Sequence, residues 1–420
     1  MKKAFIAVFF LLSLNSFAGN YCVFPFENRG TNSLNYMKYG FEIYIDSLFK
    51  EDMCNRINAI EEMDIPSDST LTLATKIVVA KKMNARYMIT GFFEGDSDNL
   101  KLTVKVFEVD GKMGEYIFEG SLENILNNSL KSFFEKFDGF NWPFGAKLDL
   151  KTFEKFAKAL TVLCIQKDVT LVHSYLDFFK DNDFYLRTLF YHLYSIGEYA
   201  LAEGYFSFIK TKNSRDYLLI GLIKAHNREF EEAIDFFKSG NRLKPDDVFL
   251  NNIAGCYLLR GNLQIAKDIF PFENRGCVFL LNGSIVFAAN KDFRDSKSLL
   301  KSFCGKYGVS DKAGQVLSFL LKEKGISVSM FKERVDLKDL IENFEFLDSE
   351  DCDLKSVEEI VFDYKTKAER LFSSGKLETA EEYYRKIFLI NPFEKRVLTV
   401  LCKDYNDSDS CKLLKFLEDE

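Results

Sequence analysis

Histidines, cysteines and paired carboxylates are the residues that most often carry chemistry, and this chain places few of them together. The three histidines, His173, His192 and His226, fall on separate predicted helices, and none is paired in sequence with a nucleophile or a metal-ligand partner. The sequence has no glycine-rich phosphate-binding loop, no G-x-S-x-G and no H-E-x-x-H. Carboxylates are abundant, but no two of them stand out as a general acid and base. These observations predict a protein that is not an enzyme and uses neither a cofactor nor a metal ion.

Nine cysteines are spread along the chain, without a C-x-x-C sequence or a cysteine–histidine cluster that would suit zinc. Cys402 and Cys411 flank a polar turn at residues 406–410, which makes them candidates for a disulfide across a helical hairpin. Cys22 and Cys54 form a second candidate pair. Three further cysteines lie on apolar helical faces and are expected to be buried as small hydrophobic side chains: Cys164, Cys256 and Cys304.

Residues 1–18 have the pattern of a secretory signal, with Lys2 and Lys3, an apolar run over residues 4–14, and small residues before position 19. The apolar run is too short to cross a bilayer, and no later segment is long and apolar enough to do so. The pattern predicts cleavage after Ala18 and a periplasmic or secreted protein with no transmembrane segment in the mature chain. The alternative interpretation is that this run is a buried helix or strand of the mature fold.

The composition is that of a folded protein and argues against nucleic acid as a partner. Hydrophobic residues make up 47% of the chain and charged residues 28%, as in globular rather than disordered proteins. The net charge is −7, and no basic stripe is interleaved with aromatic residues. With 420 residues the chain is long enough for two or three domains, each with its own core.

The amino-terminal region mixes strand-like and helix-like patterns, closed by a hairpin signal at Asp110-Gly111. Its predicted elements, in order, are a strand at 21–26, a helix at 34–50, a weak strand at 54–63, a helix near 73–83 capped by Ser69 or Thr70, strands at 86–93, 100–109 and 116–118, and a helix at 122–137. This order predicts an α/β (α+β) domain over residues 19–137.

Three stretches of this region resemble the TolB amino-terminal-like domain. They are VFPFENRG, a helix containing Tyr39-Gly40-Phe41, and the segment that runs from KKMNARYMITGFF to VFEVDGKMGEYIFEG. The resemblance covers residues 21–120 and is most specific over residues 86–111. Members of that family commonly have Asp-Gly where this chain has Tyr39-Gly40, and they often carry tetratricopeptide repeats behind this domain.

Residues 217–270 contain two helix pairs in series with the same pattern of small and aromatic residues. Ala233 and Ala266 are 33 residues apart, and a small residue here lets the two helices of a pair approach closely. Each pair exposes an apolar face that a stacked neighbour must cover. The shared markers are Gly221, Phe230, Ala233, Phe237 and Pro245 in the first pair, and Ala254, Tyr257, Gly261, Leu263, Ala266 and Phe270 in the second.

These markers and their spacing resemble the tetratricopeptide repeat, whose period is about 34 residues. Similar patterns occur around Gly197 and Gly375. The predicted architecture is therefore a TolB N-terminal-like domain followed by an all-α, tetratricopeptide-type helical repeat array. The predicted segments are a linker at 138–149, repeats at 150–335, an acidic connection at 336–360, and a repeat with a final helical pair at 361–420.

The tetratricopeptide resemblance also implies a binding surface. In such arrays the first helix of each unit lines a concave groove that holds an extended peptide or a partner helix, and aromatic rings and polar groups suit peptide capture. Carried over by repeat position, the resemblance predicts a groove formed by Phe184, Arg187, Tyr191, Tyr194, Arg215, Leu218, Leu222, His226, Asn251 and Leu258.

The leading prediction is an exported, non-enzymatic scaffold that binds a protein or peptide partner in this groove. One alternative is that the TolB-like domain docks on an outer-membrane or cell-wall assembly and the repeats act as a spacer. Another is an enzyme that acts on envelope polymer through scattered carboxylates. The sequence FPFENRG occurs twice, at residues 24–30 and 270–276, and a shared structural role is favoured over a shared binding role.

Overall fold

The computed structural model describes two compact units, Met1–Thr211 and Lys212–Glu420, each of which is described here by itself. Some predicted features lie outside the described residues: the signal with its cleavage after Ala18, the weak strand at 54–63, the cap at Ser69 or Thr70, Cys54, and Asp110 of the hairpin turn. The described residues are 21–49, 72–82, 85–109, 111, 113–137, 140–144, 147–166, 169–174, 176–329, 331, 335–348, 354 and 356–418.

The first unit opens with a five-stranded mixed sheet. Strands β3, β4 and β5 form an antiparallel meander, and β1 and β2 both pair with β3 in parallel, so the order is β1-β3-β4-β5 with β2 following β1 along β3. The strands are β1 (Tyr21–Val23), β2 (Glu27–Asn28), β3 (Tyr87–Gly95), β4 (Leu100–Glu108) and β5 (Met113–Gly120).

The strand predicted at residues 21–26 is divided in two because of Pro25. Phe24 still donates its backbone N–H to the carbonyl of Ile89 in β3, at 2.9 Å. Pro25 has no N–H to give, and the N–H of Phe26 donates to the carbonyl of Lys38 at 3.1 Å, away from the sheet. Pairing with β3 resumes at Glu27.

Helices cover both faces of this sheet. The first is α1 (Met37–Ser47), which buries Phe41 and Tyr44 completely, and the second is α2 (Leu73–Lys82). Successive strand residues point to opposite faces, so Tyr21 stacks on Phe49 at 4.4 Å beyond the end of α1, whereas Cys22 packs in the cluster under α2. Helix α3 follows β5 and consists of Leu122–Asn124, a π-helical stretch Ile125–Leu130, and Lys131–Phe134.

The regular elements described after α3 in the first unit are helices, and the first of them packs onto this sheet domain. The long helix α4 (Leu150–Gln166) lies against α1, and the hydroxyl of Thr161 donates to the carbonyl of Tyr36 at 3.2 Å. Phe144 stacks on Tyr44 of α1 at 5.6 Å and meets Phe184 edge-on at 5.1 Å. The helices that follow are α5 (Val169–Ser174), α6 (Leu176–Phe179), α7 (Asp183–Ser195) and α8 (Tyr199–Phe208).

The regular elements described in the second unit are all helices, and most of them pack as hairpins with their sequence neighbours. Among the described helices of the whole chain, none has the length and hydropathy needed to cross a membrane. The described helices of the second unit are α9 (Ser214–His226), α10 (Phe230–Leu243), α11 (Asp247–Leu259), α12 (Leu263–Ile269), α13 (Cys277–Ala289), α14 (Phe293–Tyr307), α15 (Asp311–Glu323), α16 (Leu337–Glu342), α17 (Glu358–Ser373), α18 (Leu377–Ile390), α19 (Lys395–Asp404) and α20 (Ser408–Glu418).

Five hairpins are built in the same way, which gives the chain a repeat-like architecture. The second residue after the first helix has a positive φ, and the next N–H bonds back to the carbonyl five residues earlier, as in Glu198 to Leu193 and Asn262 to Tyr257. The positive-φ residues are Gly197, Arg228, Gly261, Lys291 and Gly375. The fourth residue of each second helix is small and fully buried: Ala202, Ala233, Ala266, Ser296 and Ala380.

Candidate functional site

Three asparagines on the first helices of two neighbouring hairpins are completely buried. Asn251 and Asn252 lie on α11, Asn282 lies on α13, and each side chain is 0% exposed. Their helices are mostly apolar, with the sequences DVFLNNIAGCYLL and CVFLLNGSIVFAA. A primary amide in such surroundings costs free energy unless its donors and acceptor find partners.

Asn252 finds its partner in the backbone of a segment about 95 residues further along the chain. Its Nδ2 donates to the carbonyl oxygen of Leu347 at 2.7 Å, and its Oδ1 accepts from the N–H of Leu347 at 2.8 Å. The side-chain amide therefore takes the place that a neighbouring β-strand would take.

Asn282 repeats this arrangement two residues earlier in the same segment. Its Nδ2 donates to the carbonyl oxygen of Glu345 at 2.7 Å, and its Oδ1 accepts from the N–H of Glu345 at 2.9 Å. Asn251 lies between the two, where its Oδ1 accepts from Asn282 Nδ2 at 3.0 Å and its Nδ2 donates to Asn252 Oδ1 at 3.1 Å. The paired bonds at residues 345 and 347 hold this backbone as an extended chain.

The side chains of the segment at residues 344–347 (FEFL) contact α11 and α15. Phe344 is 7% exposed and fills the space beside Gly255, where an added Cβ would lie 2.4 Å from Cε1 of the ring. Leu347 is 6% exposed. Glu345 pairs with Lys312 of α15 at 2.7 Å, and both of these side chains are nearly half exposed. The segment thus has two apolar anchors and one acidic contact.

The predicted groove residues of the first unit lie on α7. Phe184 meets Phe144 edge-on and lies tilted against Phe156 of α4, so its ring helps to hold helices together. Arg187 donates to the carbonyl oxygen of Thr211 at 2.7 Å. Tyr191 and Tyr194 are half-buried, and their rings lie 5.6 Å and 5.8 Å from those of Phe190 and Tyr199.

The predicted groove residues of the second unit differ widely in exposure. His226 is exposed and Arg215 is half-buried, whereas Leu218 and Leu222 are buried. Leu258 lies on α11 and is buried, with 1% of its surface exposed. Asn251 is buried because the chain's own residue 345 covers it, and its Nδ2 lies 3.3 Å from that residue's carbonyl oxygen.

Sequence reasoning named Asn251 but missed Asn252, Asn282 and the 344–347 segment. The signal in the sequence is a pair of asparagines 30 residues apart, each within an apolar helical run. The sequence predicts an acidic connection at 336–360. Within it Glu342 and Asp348 are exposed, but Phe344 and Leu347 between them are buried.

Among the described residues, two buried cysteine thiols lie in surroundings that keep them unreactive. Burial raises the pKa of Cys256 and of Cys304 to about 12, so both remain protonated thiols at neutral pH. Cys402 and Cys411 form the predicted disulfide, and Cys277 is also disulfide-bonded, which the sequence did not suggest. Cys22 is buried, but Cys54 and the side chains of Cys164 and His173 lie outside the described residues. Within the described part of the chain, no three His, Cys, Asp or Glu residues are grouped as a metal site would require.

The fold and this site define an α/β sheet domain followed by helical, repeat-like hairpins, with buried amides that hold an extended backbone. Comparison with known proteins finds no matching family model and no matching curated protein. The resemblances to the TolB amino-terminal-like domain and to the tetratricopeptide repeat therefore stay predictions.

Proposed function

We propose that this protein is an exported, non-enzymatic scaffold that binds a protein or peptide partner on the first helices of its helical hairpins. One observation carries the proposal: Asn252 and Asn282 hold an extended backbone through four hydrogen bonds of 2.7–2.9 Å. Bonds to the main chain with pockets for alternate side chains are the general way in which proteins bind extended peptides. The first helices thus carry the chemistry that peptide capture needs.

The hairpin geometry supports the same proposal. The recurring turns and the buried small residues at Ala202, Ala233 and Ala266 are what the tetratricopeptide resemblance leads one to expect. In that family the first helices provide the binding surface. The TolB-like resemblance and the secretory pattern that ends at Ala18 favour the cell envelope as the place of action, either periplasmic or secreted.

Photo-crosslinking in intact cells tests the proposal. A photoreactive residue is placed at His226, which is exposed on a first helix, and in a second strain at Tyr191. Phe208, which is 45% exposed on a second helix, is the matched control. The expected result is one dominant adduct from His226 and from Tyr191, with none from Phe208.

The same experiment separates the alternative in which the sheet domain does the binding. Adducts at Tyr39 of α1, with none at His226 or Tyr191, would assign the contact to the sheet domain and contradict our proposal. Export is tested by the mass of the mature protein recovered from the envelope fraction. That mass should correspond to a chain that begins at Gly19, after cleavage behind Ala18.

A further inference from the structure

We propose that residues 344–347 are an internal ligand whose sequence is the motif that this site recognises in its partner. The partner would present an extended peptide with an aromatic residue, an acidic residue, any residue and a leucine, and it would displace the internal copy. This inference rests on the proposed function, because it names the ligand of the same surface.

The first step of the argument is that the strongest contacts are independent of sequence. All four short bonds from Asn252 and Asn282 go to the N–H and carbonyl groups of residues 345 and 347. Any extended peptide without proline at these two positions offers the same groups at the same spacing. A buried amide that loses these bonds is left unsatisfied, so the site requires an occupant.

The second step is that the side-chain contacts impose a pattern. The space beside Gly255 accepts the Phe344 ring, since even a methyl group on that glycine would meet Cε1 at 2.4 Å. At the next position, Lys312 Nζ lies 2.7 Å from Glu345 Oε2. Lys312 therefore selects an acidic residue there. Leu347 is 6% exposed, so the last position requires an apolar side chain. Phe346 is only half-buried, which indicates that its position accepts different side chains.

The third step concerns competition. A tethered ligand acts at an effective concentration of roughly millimolar order, so a free peptide of equal affinity cannot displace it at micromolar concentration. Weakening the internal copy removes this competitor without touching the asparagines or Lys312. The variant Phe344→Ala/Leu347→Ala does so, because both anchors belong to the internal ligand.

The test uses the mature chain from residue 19 and a fluorescein-labelled peptide, ENFEFLD, which copies residues 342–348. Fluorescence anisotropy should show binding to Phe344→Ala/Leu347→Ala that is at least about ten-fold tighter than binding to the unsubstituted protein. The peptide ENAEFLD is the matched control and should bind at least about ten-fold more weakly than ENFEFLD. A folded variant, judged by circular dichroism, that does not bind ENFEFLD at millimolar concentration overturns the inference.

A charge exchange tests the motif at Lys312, whose side chain is nearly half exposed. In the Phe344→Ala/Leu347→Ala background, Lys312→Glu should weaken the binding of ENFEFLD by about two- to five-fold. It should strengthen the binding of the peptide ENFKFLD by a similar factor. If both peptides respond alike to Lys312→Glu, the acidic preference is wrong.

Hydrogen exchange on the unsubstituted protein covers the case in which the double variant fails to fold. Millimolar ENFEFLD should speed exchange at the amides of Glu345 and Leu347 in the protein, and ENAEFLD should not. Unchanged protection would refute displacement. The two proposals can fail separately. If ENFEFLD does not bind but His226 and Tyr191 still crosslink to a partner, the proposed function stands and only this inference is wrong.

Discussion

Gly255 and Phe344 lie 89 residues apart in sequence, and the structure predicts a strong energetic coupling between them. Gly255 is inside α11, where replacing glycine by alanine ordinarily stabilises a helix by about 1 kcal/mol. Here the new methyl group would lie 2.4 Å from Cε1 of Phe344 and 2.8 Å from Cδ1, well inside van der Waals contact. Overpacking of this kind costs roughly 1–3 kcal/mol.

The sign of the Gly255→Ala effect should therefore depend on the ring. With Phe344 present, the substitution should be neutral to destabilising by up to about 2 kcal/mol, which is the difference between the two terms. In the background of Phe344→Ala it should stabilise by about 1 kcal/mol, so the double-mutant cycle should give a coupling of roughly 1–3 kcal/mol.

Urea denaturation followed by circular dichroism measures the four free energies of unfolding. Gly305→Ala in α14 is the matched control, because a Cβ there would meet no atom within 4 Å. It should stabilise the protein equally with and without Phe344. If Gly255→Ala stabilises the unsubstituted protein as much as Gly305→Ala does, the ring of Phe344 does not occupy this space and the reasoning fails.

The turns, the disulfide and one carboxylate give further predictions for the free energy of unfolding. Lys291 has φ 61°, so Lys291→Gly should stabilise by about 1 kcal/mol in urea denaturation, and Gly261→Ala, at φ 81°, should have the opposite sign. The disulfide Cys402–Cys411 closes a separation of nine residues, so its reduction should lower the free energy of unfolding by about 2–3 kcal/mol. Hydrogen exchange in the last two helices should become faster, and a chain that lacks both thiols should show no such change. Although partial burial raises the pKa of Asp183, N–H bonds from residues 210 and 211 outweigh it and lower that pKa. Its stabilising contribution should thus be complete above about pH 4 and disappear as pH falls through the lower folded pKa, so the stability gap to Asp183→Asn should narrow in acid.

The sheet and the hairpins are predictable from the sequence because their signals are local. Leu102 and Val104 alternate with more polar neighbours, and the structure buries both of them in β4. Ala233 and Ala266 mark the same point in two second helices, and both are fully buried. Patterns of period two and of about 33 residues depend only on neighbours in the chain or in the next repeat.

The candidate site is different because its parts are far apart in sequence. Nothing near Asn252 indicates that its partner is Leu347, and nothing near Phe344 indicates Gly255. The exposed acids Glu342 and Asp348 make the stretch around them look like a solvated connection. Only the fold brings this short segment against the two helices that carry the buried amides.

The repeated FPFENRG sequence shows how much structure a short identical stretch determines. In both copies the asparagine Oδ1 accepts the N–H of the glycine two residues later, at 2.8 Å for Asn28 and Gly30 and 2.9 Å for Asn274 and Gly276. In the first copy the preceding residues belong to the edge of a sheet, and in the second they follow the end of α12. The residues before the turn thus take their conformation from the surrounding fold, whereas Asn-Arg-Gly forms the same turn in both places. This favours a shared structural role for the repeat, since the common geometry lies within the turn itself.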